Sequence, residues 1–156
     1  MTEINLQTWI NATPESCFNA SLDVDLHLGS ASHTNERVIA GRKSGICELG
    51  DEIIWEARHF GIKLQLSIRI TDLEFPTYFA DQMTRGAFRS MRHEHYFEPA
   101  GTGCLMRDRF MYETPFWVFG QLFDLLLLRR HMRYFLLRRN AFLKDWCEKK
   151  ADYSRP

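Results

Sequence analysis

The sequence lacks several features that would place it directly in a functional class. Its 156 residues carry 20 basic and 20 acidic side chains, so the net charge is zero and gives no indication of nucleic-acid binding. The four cysteines, Cys17, Cys47, Cys104 and Cys147, lie far apart and include no Cys-x-x-Cys pair. Zinc sites and small disulfide scaffolds need clustered cysteines. We therefore expect four free thiols in a reducing cytoplasm.

Long hydrophobic runs are also missing. The most apolar stretch, Phe116–Leu128, is interrupted by Gln121 and Asp124 and is too short to span a bilayer, so stable membrane insertion is not expected. Residues 1–10 alternate polar and apolar side chains, and they have neither the basic start nor the apolar core of a signal peptide. Glu98–Gly103 resembles a phosphate-binding loop only superficially, because it precedes a predicted strand and lacks the expected lysine. The sequence therefore predicts a cytoplasmic protein without a cofactor.

The chain does contain a large aromatic share. Hydrophobic residues make up 45% and aromatic residues 13% of the sequence, including 12 Phe, which is sufficient for the core of one domain. No internal repeat or low-complexity segment is visible. We expect a single domain over residues 1–150 and a flexible tail at 151–156.

Hydrophobic periodicity predicts one strand, two short helices, six further strands and one long helix. Thr13, Pro14 and Glu15 form a typical helix start, which predicts a short helix from Pro14 to about Leu22. A second short helical or irregular piece is expected over 24–32 and a polar loop over 30–35. The predicted strands cover 3–10, 37–40, 52–60, 62–71, 77–85, 88–97 and 104–112, and their alternation favours an antiparallel sheet.

Residues 116–149 contain no proline and a single glycine, Gly120, and they predict one long helix. Its expected inner stripe is Leu125, Leu128, Met132, Phe135, Phe142 and Trp146, with Leu122, Leu136 and Leu143 beside it. Its expected outer faces carry Arg129, Arg130, Arg133, Arg138, Arg139 and Lys144. We interpret these basic residues as a solvated surface; contact with anionic lipid or an acidic partner is the alternative.

Motifs along residues 3–149 match one known family. They are Thr-Pro-Glu at 13–15, Glu36-Arg37, Gly50-Asp51 with Trp55, His59-Phe60-Gly61-Ile62, Asp81, Gly86 with His93-x-His95-x-Phe97, Gly101-Thr102, Met106, Asp108, Tyr112-x-x-Pro115, Arg129-Arg130-His131-Met132 and Arg139-Asn140. With the element order, these motifs make the chain resemble the START-like SRPBCC superfamily, in particular its bacterial polyketide cyclase/dehydrase-like group.

The resemblance implies an α+β helix-grip fold. In it, a curved antiparallel sheet of about seven strands, two short helices and one long C-terminal helix enclose a cavity for a small hydrophobic ligand. One departure concerns Phe116, Trp117 and Phe119, because such proteins often have small residues after the proline that here is Pro115. These aromatic side chains could narrow an entrance to the cavity or contact a partner.

Strand parity places several ionisable side chains on the face that we expect to be concave. We expect His59, Asp81, His93, His95, Asp108 and Tyr112 to form a polar cluster there. The predicted ligand-binding residues are Trp55, His59, Leu66, Ile68, Phe79, Asp81, Met91, His93, His95, Phe97, Asp108, Phe110, Tyr112 and Met132. Buried ionisable groups need partners, so the cluster is either a satisfied network or a site.

Three functions remain open at this point. The main interpretation is a binder or carrier of a lipid-like or aromatic ligand; the alternative is a cyclase or dehydratase whose candidate acid–base residues are His59, His93, His95 and Asp108. A third is an interaction protein that uses its aromatic segment and basic helix. The spacing of His93 and His95 could also suit a metal, with His59 or Asp108 as third ligand, but no metal is predicted. Strand edges could pair between two copies, so a homodimer stays open.

Overall fold

The computed structural model describes residues 1–153, apart from the side chains of Trp117 and Tyr153. The strands are β1 (Thr2–Ile10), β2 (Arg37–Gly41), β3 (Glu52–His59), β4 (Ile62–Glu74), β5 (Tyr78–Arg85), β6 (Ser90–Ala100) and β7 (Gly103–Glu113). The helices are α1 (Pro14–Leu22), α2 (Val24–Ser30), α3 (Trp117–Phe123) and α4 (Arg129–Tyr153), and a π-helical turn over Asp124–Leu128 joins the last two.

Within residues 1–153 the strands form one seven-stranded antiparallel sheet in the order β1-β7-β6-β5-β4-β3-β2. The chain leaves β1, passes through α1 and α2, and enters the sheet again at the opposite edge with β2. Gly103 permits the close approach of β1 and β7, because a Cβ atom there would lie 2.2 Å from the carbonyl oxygen of Ile10. Helix α4 packs against β1, α1 and α2. This arrangement confirms the predicted helix-grip fold.

The first helix begins as the sequence predicts. The Thr13 hydroxyl accepts a hydrogen bond from the Ser16 amide at 3.3 Å, and Pro14 occupies the first turn. The polar loop predicted over 30–35 is instead partly helical, because α2 extends to Ser30 and a 3-10 turn covers Ser32–Thr34. The Ser30 hydroxyl donates to the carbonyl oxygen of His27, which helps to close the last turn of α2.

The predicted long helix is interrupted near its start. Phe116 has a left-handed φ of 70°, so the helix begins one residue later, at Trp117. The π-helical turn then inserts an extra residue and turns Asp124 inward. Helix α4 continues through Tyr153, so the tail does not start at residue 151 as predicted; residues 154–156 lie outside the described range.

The prediction of the buried helix face fails near the π-helical turn and holds further along. Leu125, expected on the inner stripe, and Leu122, expected beside it, are 71% and 53% exposed. Leu136 and Leu143, also expected beside the stripe, are buried together with Asn140 and Cys147. Leu128, Met132, Phe135 and Trp146 from the predicted stripe pack beside the core and are partly buried.

Arg139, expected on an outer face, is 5% exposed. All four cysteines are buried and no disulfide forms within the described residues. No helix in that part of the chain is both long and apolar enough to cross a bilayer.

Candidate functional site

A cavity of about 610 Å³ lies between the concave face of the sheet and the C-terminal helices. The alternation of side chains along β3 to β6 directs one set of apolar residues into it. Eleven of the fourteen predicted ligand-binding residues line this cavity: Trp55, His59, Leu66, Ile68, Phe79, Asp81, Met91, His93, His95, Phe110 and Met132.

The structure places the other three predicted residues outside the lining. Phe97 is fully buried behind the cavity, where it packs against Phe18 and Phe79. Asp108 lies beneath the two histidines of β6 and is 2% exposed. Tyr112 is fully buried, and its hydroxyl donates to Asp124. These side chains therefore lie behind the wall of the cavity.

The predicted polar cluster is divided between three places. Asp81, His93, His95 and Asp108 come together at the floor of the cavity. His59, at the end of β3, instead pairs with His131 of α4. Tyr112 pairs with Asp124 of the π-helical turn, which also accepts from the Thr2 hydroxyl. Strand parity identified the correct face but could not indicate the position along each strand or the partners from the helix.

His95 is held between two carboxylates at the cavity floor. Its Nδ1 atom lies 2.9 Å from Asp108 Oδ1, and its Nε2 atom lies 3.4 Å from Asp81 Oδ2. His93 Nε2 lies 3.2 Å from the same Asp108 oxygen. The two contacts with Asp108 lie off the hydrogen-bonding direction, so among the described residues His93 Nε2 and His95 Nδ1 have no hydrogen-bond partner.

Helix α4 contacts Asp108 from the other side of the cavity floor. We use the name floor network for Asp81, His93, His95, Asp108, Arg139 and Asn140. The Asn140 amide donates to Asp108 Oδ2 at 2.6 Å and to the Thr8 hydroxyl at 3.3 Å. The Arg139 guanidinium lies 3.4 Å from Asp108 Oδ1. Neither residue was among the predicted site residues. The spacing of Asn140 from Leu136 and Leu143, four and three residues away, was the available signal, because it places the amide on the buried helix face.

The floor groups differ in charge. Burial would raise the pKa of Asp108, but its close contacts with His93 and His95 hold that pKa well below the usual range. The pKa of Asp81 is also lowered: burial opposes the shift, but the hydrogen bond with His95 and the charges of His93, His95 and Arg139 together outweigh it. Burial and the neighbouring His95 lower the pKa of His93 to about 4. At neutral pH the cavity floor therefore combines ionised carboxylates with a neutral His93 imidazole.

Asp81, His93 and His95 could together hold a divalent ion. One ligand atom of each lies within 4.8 Å of the others, and all three side chains are buried. Imidazole and carboxylate are donors that zinc accepts. Binding would require His95 to give up its contact with Asp81 or with Asp108, and the Arg139 cation lies close by. These costs favour a network of hydrogen bonds and ion pairs over a metal centre.

The cavity opens to solvent beside the exposed lining residues Phe60 and Ile62, and a second polar group lies there. His59 Nδ1 is 2.9 Å from His131 Nε2, and burial lowers the pKa of both rings. His59 and Ile62 pair across the β3–β4 hairpin, so its loop is only Phe60 and Gly61, both with positive φ. This tight turn holds the Phe60 ring 5.6 Å from the Phe123 ring of α3, across the opening.

Glu36 is a buried acid on the cavity wall that the sequence analysis did not select. Its Oε1 atom lies 3.5 Å from His27 Nε2, and the carboxylate side chain is 7% exposed. Within the described range, Oε2 has no hydrogen-bond partner. His27 in turn stacks on Trp55, with ring centroids 4.3 Å apart. The cavity therefore offers an acceptor at Glu36 in addition to the polar floor.

Comparison with solved structures supports the fold. A protein from Thermus thermophilus is 20% identical, with a TM-score of 0.75 over 92% of this chain and 95% of that one. A START superfamily protein from Mycobacterium smegmatis is 11% identical, with a TM-score of 0.71 over 94% and 97%. A protein from Chromobacterium violaceum is 16% identical, with a TM-score of 0.69 over 94% and 96%.

Sequence comparison adds nothing to this likeness, since no family profile and no curated protein matches the chain. The TM-scores establish the fold, whereas sequence identities this low leave the ligand and the activity open. The chain therefore has the same helix-grip fold as these structures, one of which is a START superfamily protein.

Proposed function

We propose that this protein binds a small hydrophobic, lipid-like or aromatic molecule in the cavity between its sheet and α4. The main support for this proposal is the cavity itself, which has a volume of about 610 Å³. Ligand pockets typically enclose roughly 300–1,000 Å³ and combine apolar walls with a few polar groups. The walls of this cavity are largely apolar and include Trp55, Ile68, Phe79 and Met132.

The polar groups suggest where the ligand is polar. His93 lies at the floor, and the free oxygen of Glu36 lies on the wall near His27. Because an unpaired buried polar atom costs free energy, a ligand that reaches these atoms gains affinity from pairing with them. A largely apolar molecule with a hydroxyl, amine or carbonyl group is the ligand class that these walls favour.

Titration with the fluorescent apolar probe N-phenyl-1-naphthylamine tests the proposal. Leu66→Trp places an indole in the cavity, whereas Leu49→Trp adds the same side chain at a position outside the lining that is 62% exposed. We expect saturable binding of one probe to the native protein, at least about tenfold weaker binding to Leu66→Trp, and unchanged binding to Leu49→Trp. Absence of saturable binding, or equal binding to both variants, would overturn the proposal.

Acid–base catalysis of the cyclase or dehydratase type is the second candidate, and the position of His93 favours it. This imidazole lines the cavity, and its Nε2 atom has no hydrogen-bond partner among the described residues, so it could exchange a proton with an enolisable substrate. Deuterium exchange at the methyl group of acetophenone provides a probe reaction. Catalysis is expected in the native protein and in His33→Gln, which changes an exposed histidine, but not in His93→Gln. Exchange at the uncatalysed rate in the native protein would rule this candidate out.

We also propose that the protein acts in the cytoplasm and that a homodimer would form through its sheet edges. Four reduced thiols suit the cytoplasm, and their burial is compatible with it. The edge strands β1 and β2 end the sheet and are where two copies would pair to form a homodimer. Sedimentation velocity would distinguish a monomer from that dimer.

A further inference from the structure

The segment before α4 exposes an unusual amount of apolar surface. We use the name apolar ridge for the side chains of Phe116, Val118, Phe119, Leu122, Leu125 and Leu126, each of which is at least 53% exposed. Phe119 reaches 83%. Single exposed apolar residues are normal, but a continuous group of this kind marks a surface that another molecule covers.

The apolar ridge is continuous with the opening of the cavity. Phe116 and Phe119 belong to the ridge and also line the cavity. On the other side of the opening, the β3–β4 hairpin presents Phe60 and Ile62, which are 48% and 62% exposed and also line the cavity. Whatever covers the apolar ridge therefore also meets the route by which a ligand enters.

The charge beside the apolar ridge indicates the chemistry of the covering surface. Arg129, Arg130 and Arg133 follow the ridge directly and are exposed. Asp124 is the only acidic residue from position 114 to position 144, and it is buried against Tyr112. Segments that lie in the interface of an anionic membrane typically combine large apolar side chains with neighbouring basic residues and have no exposed acidic side chain.

A second copy of the chain fits this surface less well. In a twofold contact the same patch lies on both partners, so arginines 129, 130 and 133 of one copy would approach those of the other. Like charges at an interface cost free energy unless an acid lies between them, and the only acid of this segment is buried.

From these observations we infer that the protein docks its cavity opening on an anionic membrane surface. The apolar ridge and the tip of the β3–β4 hairpin enter the headgroup region, and the three arginines bind lipid phosphates. Helix α3 and the π-helical turn lie along the interface and do not cross the bilayer, in agreement with the absence of a spanning helix in the described residues. A hydrophobic ligand can then pass between the bilayer and the cavity without exposure to water.

Flotation with vesicles tests this inference. The full-length protein is mixed with vesicles of phosphatidylglycerol and phosphatidylcholine, or of phosphatidylcholine alone, in low salt and in roughly 0.5 M NaCl. Leu125→Gln/Leu126→Gln removes apolar contacts without touching the cavity lining, and Arg129→Glu/Arg130→Glu reverses charge beside it. Leu49→Gln and Lys43→Glu/Lys150→Glu are matched exposed controls at positions outside the cavity lining.

We expect the native protein to bind the anionic vesicles, to bind phosphatidylcholine at least about tenfold more weakly, and to dissociate in high salt. Both variants next to the cavity opening should lose at least about tenfold in vesicle affinity, while both controls retain it.

Three outcomes would overturn the inference: no binding of the native protein to anionic vesicles, equal loss in the controls, or a native dimer that Leu125→Gln/Leu126→Gln converts to a monomer. The last outcome would assign the apolar ridge to a second copy. Probe binding in the cavity is measured separately for each variant, so loss of ligand binding and loss of docking are distinguished.

Discussion

Asp108 and His95 face each other across β6 and β7, and Asp108 Oδ1 lies 2.9 Å from His95 Nδ1. Neither side chain is more than 2% exposed. A buried carboxylate is stable only when charges and donors surround it, and here Asn140 and Arg139 of α4 supply the rest. The pair therefore joins the sheet to α4 at the cavity floor, and the same groups that stabilise the fold determine the polarity of the site.

Asp108→Asn should destabilise the protein by about 3 kcal/mol, because it leaves the buried Arg139 cation without its nearest counter-charge. Urea denaturation measures the change. Asp145→Asn is the matched control, since its surface pair with Lys149 should contribute less than about 1 kcal/mol. A loss at Asp108 no larger than the loss at Asp145 would contradict the role assigned to the floor network.

The stability of the protein should fall as the pH falls from about 6.5 to about 4. An unfolded histidine has a pKa near 6.5, whereas the folded pKa of His93 is about 4. Between these values the unfolded chain binds the proton and the folded protein does not, so the free energy of unfolding rises with pH across this range. The contribution of His93 is about 3 kcal/mol, present above pH 6.5 and lost near pH 4.

Urea denaturation of the native protein and His93→Gln at several pH values measures this contribution. The depressed pKa values of His59 and His131 act in the same direction and are present in both proteins, so the difference above pH 4 reports the removal of His93. Equal pH dependence in the two proteins would contradict the neutral state assigned to His93. The lowered pKa of Asp108 adds a further loss of stability below pH 4.

The sequence predicted the sheet well because its information is local. The alternation in β3 and β4 and the Thr13 cap depend on neighbouring residues, and both agree with the structure. The buried face of the long helix was less predictable near its start. There the π-helical turn at 124–128 brings Asp124 into contact with Tyr112, which lies in a different element. A single inserted residue then moved Leu125 to the surface.

The residues of the candidate site also differ in how far the sequence could predict their positions. The inward direction of His93, His95 and Asp81 follows from strand parity and is correct. The position of His59 beside His131, and the burial of Arg139, depend on how α4 crosses the sheet. An arginine in a helix usually reaches solvent, so only the tertiary structure reveals that this one pairs with a buried carboxylate.

Tyr112→Phe should release the π-helical turn. The Tyr112 hydroxyl is one of two donors to the buried Asp124 carboxylate, and its loss leaves that acid with the Thr2 hydroxyl. We expect a destabilisation of about 2 kcal/mol and faster amide exchange over residues 117–128, measured by denaturation and hydrogen exchange. Tyr134→Phe, at an exposed hydroxyl of α4, should change neither. Unchanged exchange in Tyr112→Phe would show that packing alone holds the turn.

We expect a ligand to bind inside the cavity, and methyl NMR during titration with N-phenyl-1-naphthylamine locates the bound probe. Methyl groups of Ile68, Met91 and Met132 line the cavity, while Ile39 lies outside the lining and is 37% exposed. We predict that the three cavity methyl signals shift and saturate at one equivalent of probe while the Ile39 signal stays in place. Shifts restricted to the exposed Leu125 and Leu126, with the cavity signals unchanged, would show that the probe binds outside the cavity.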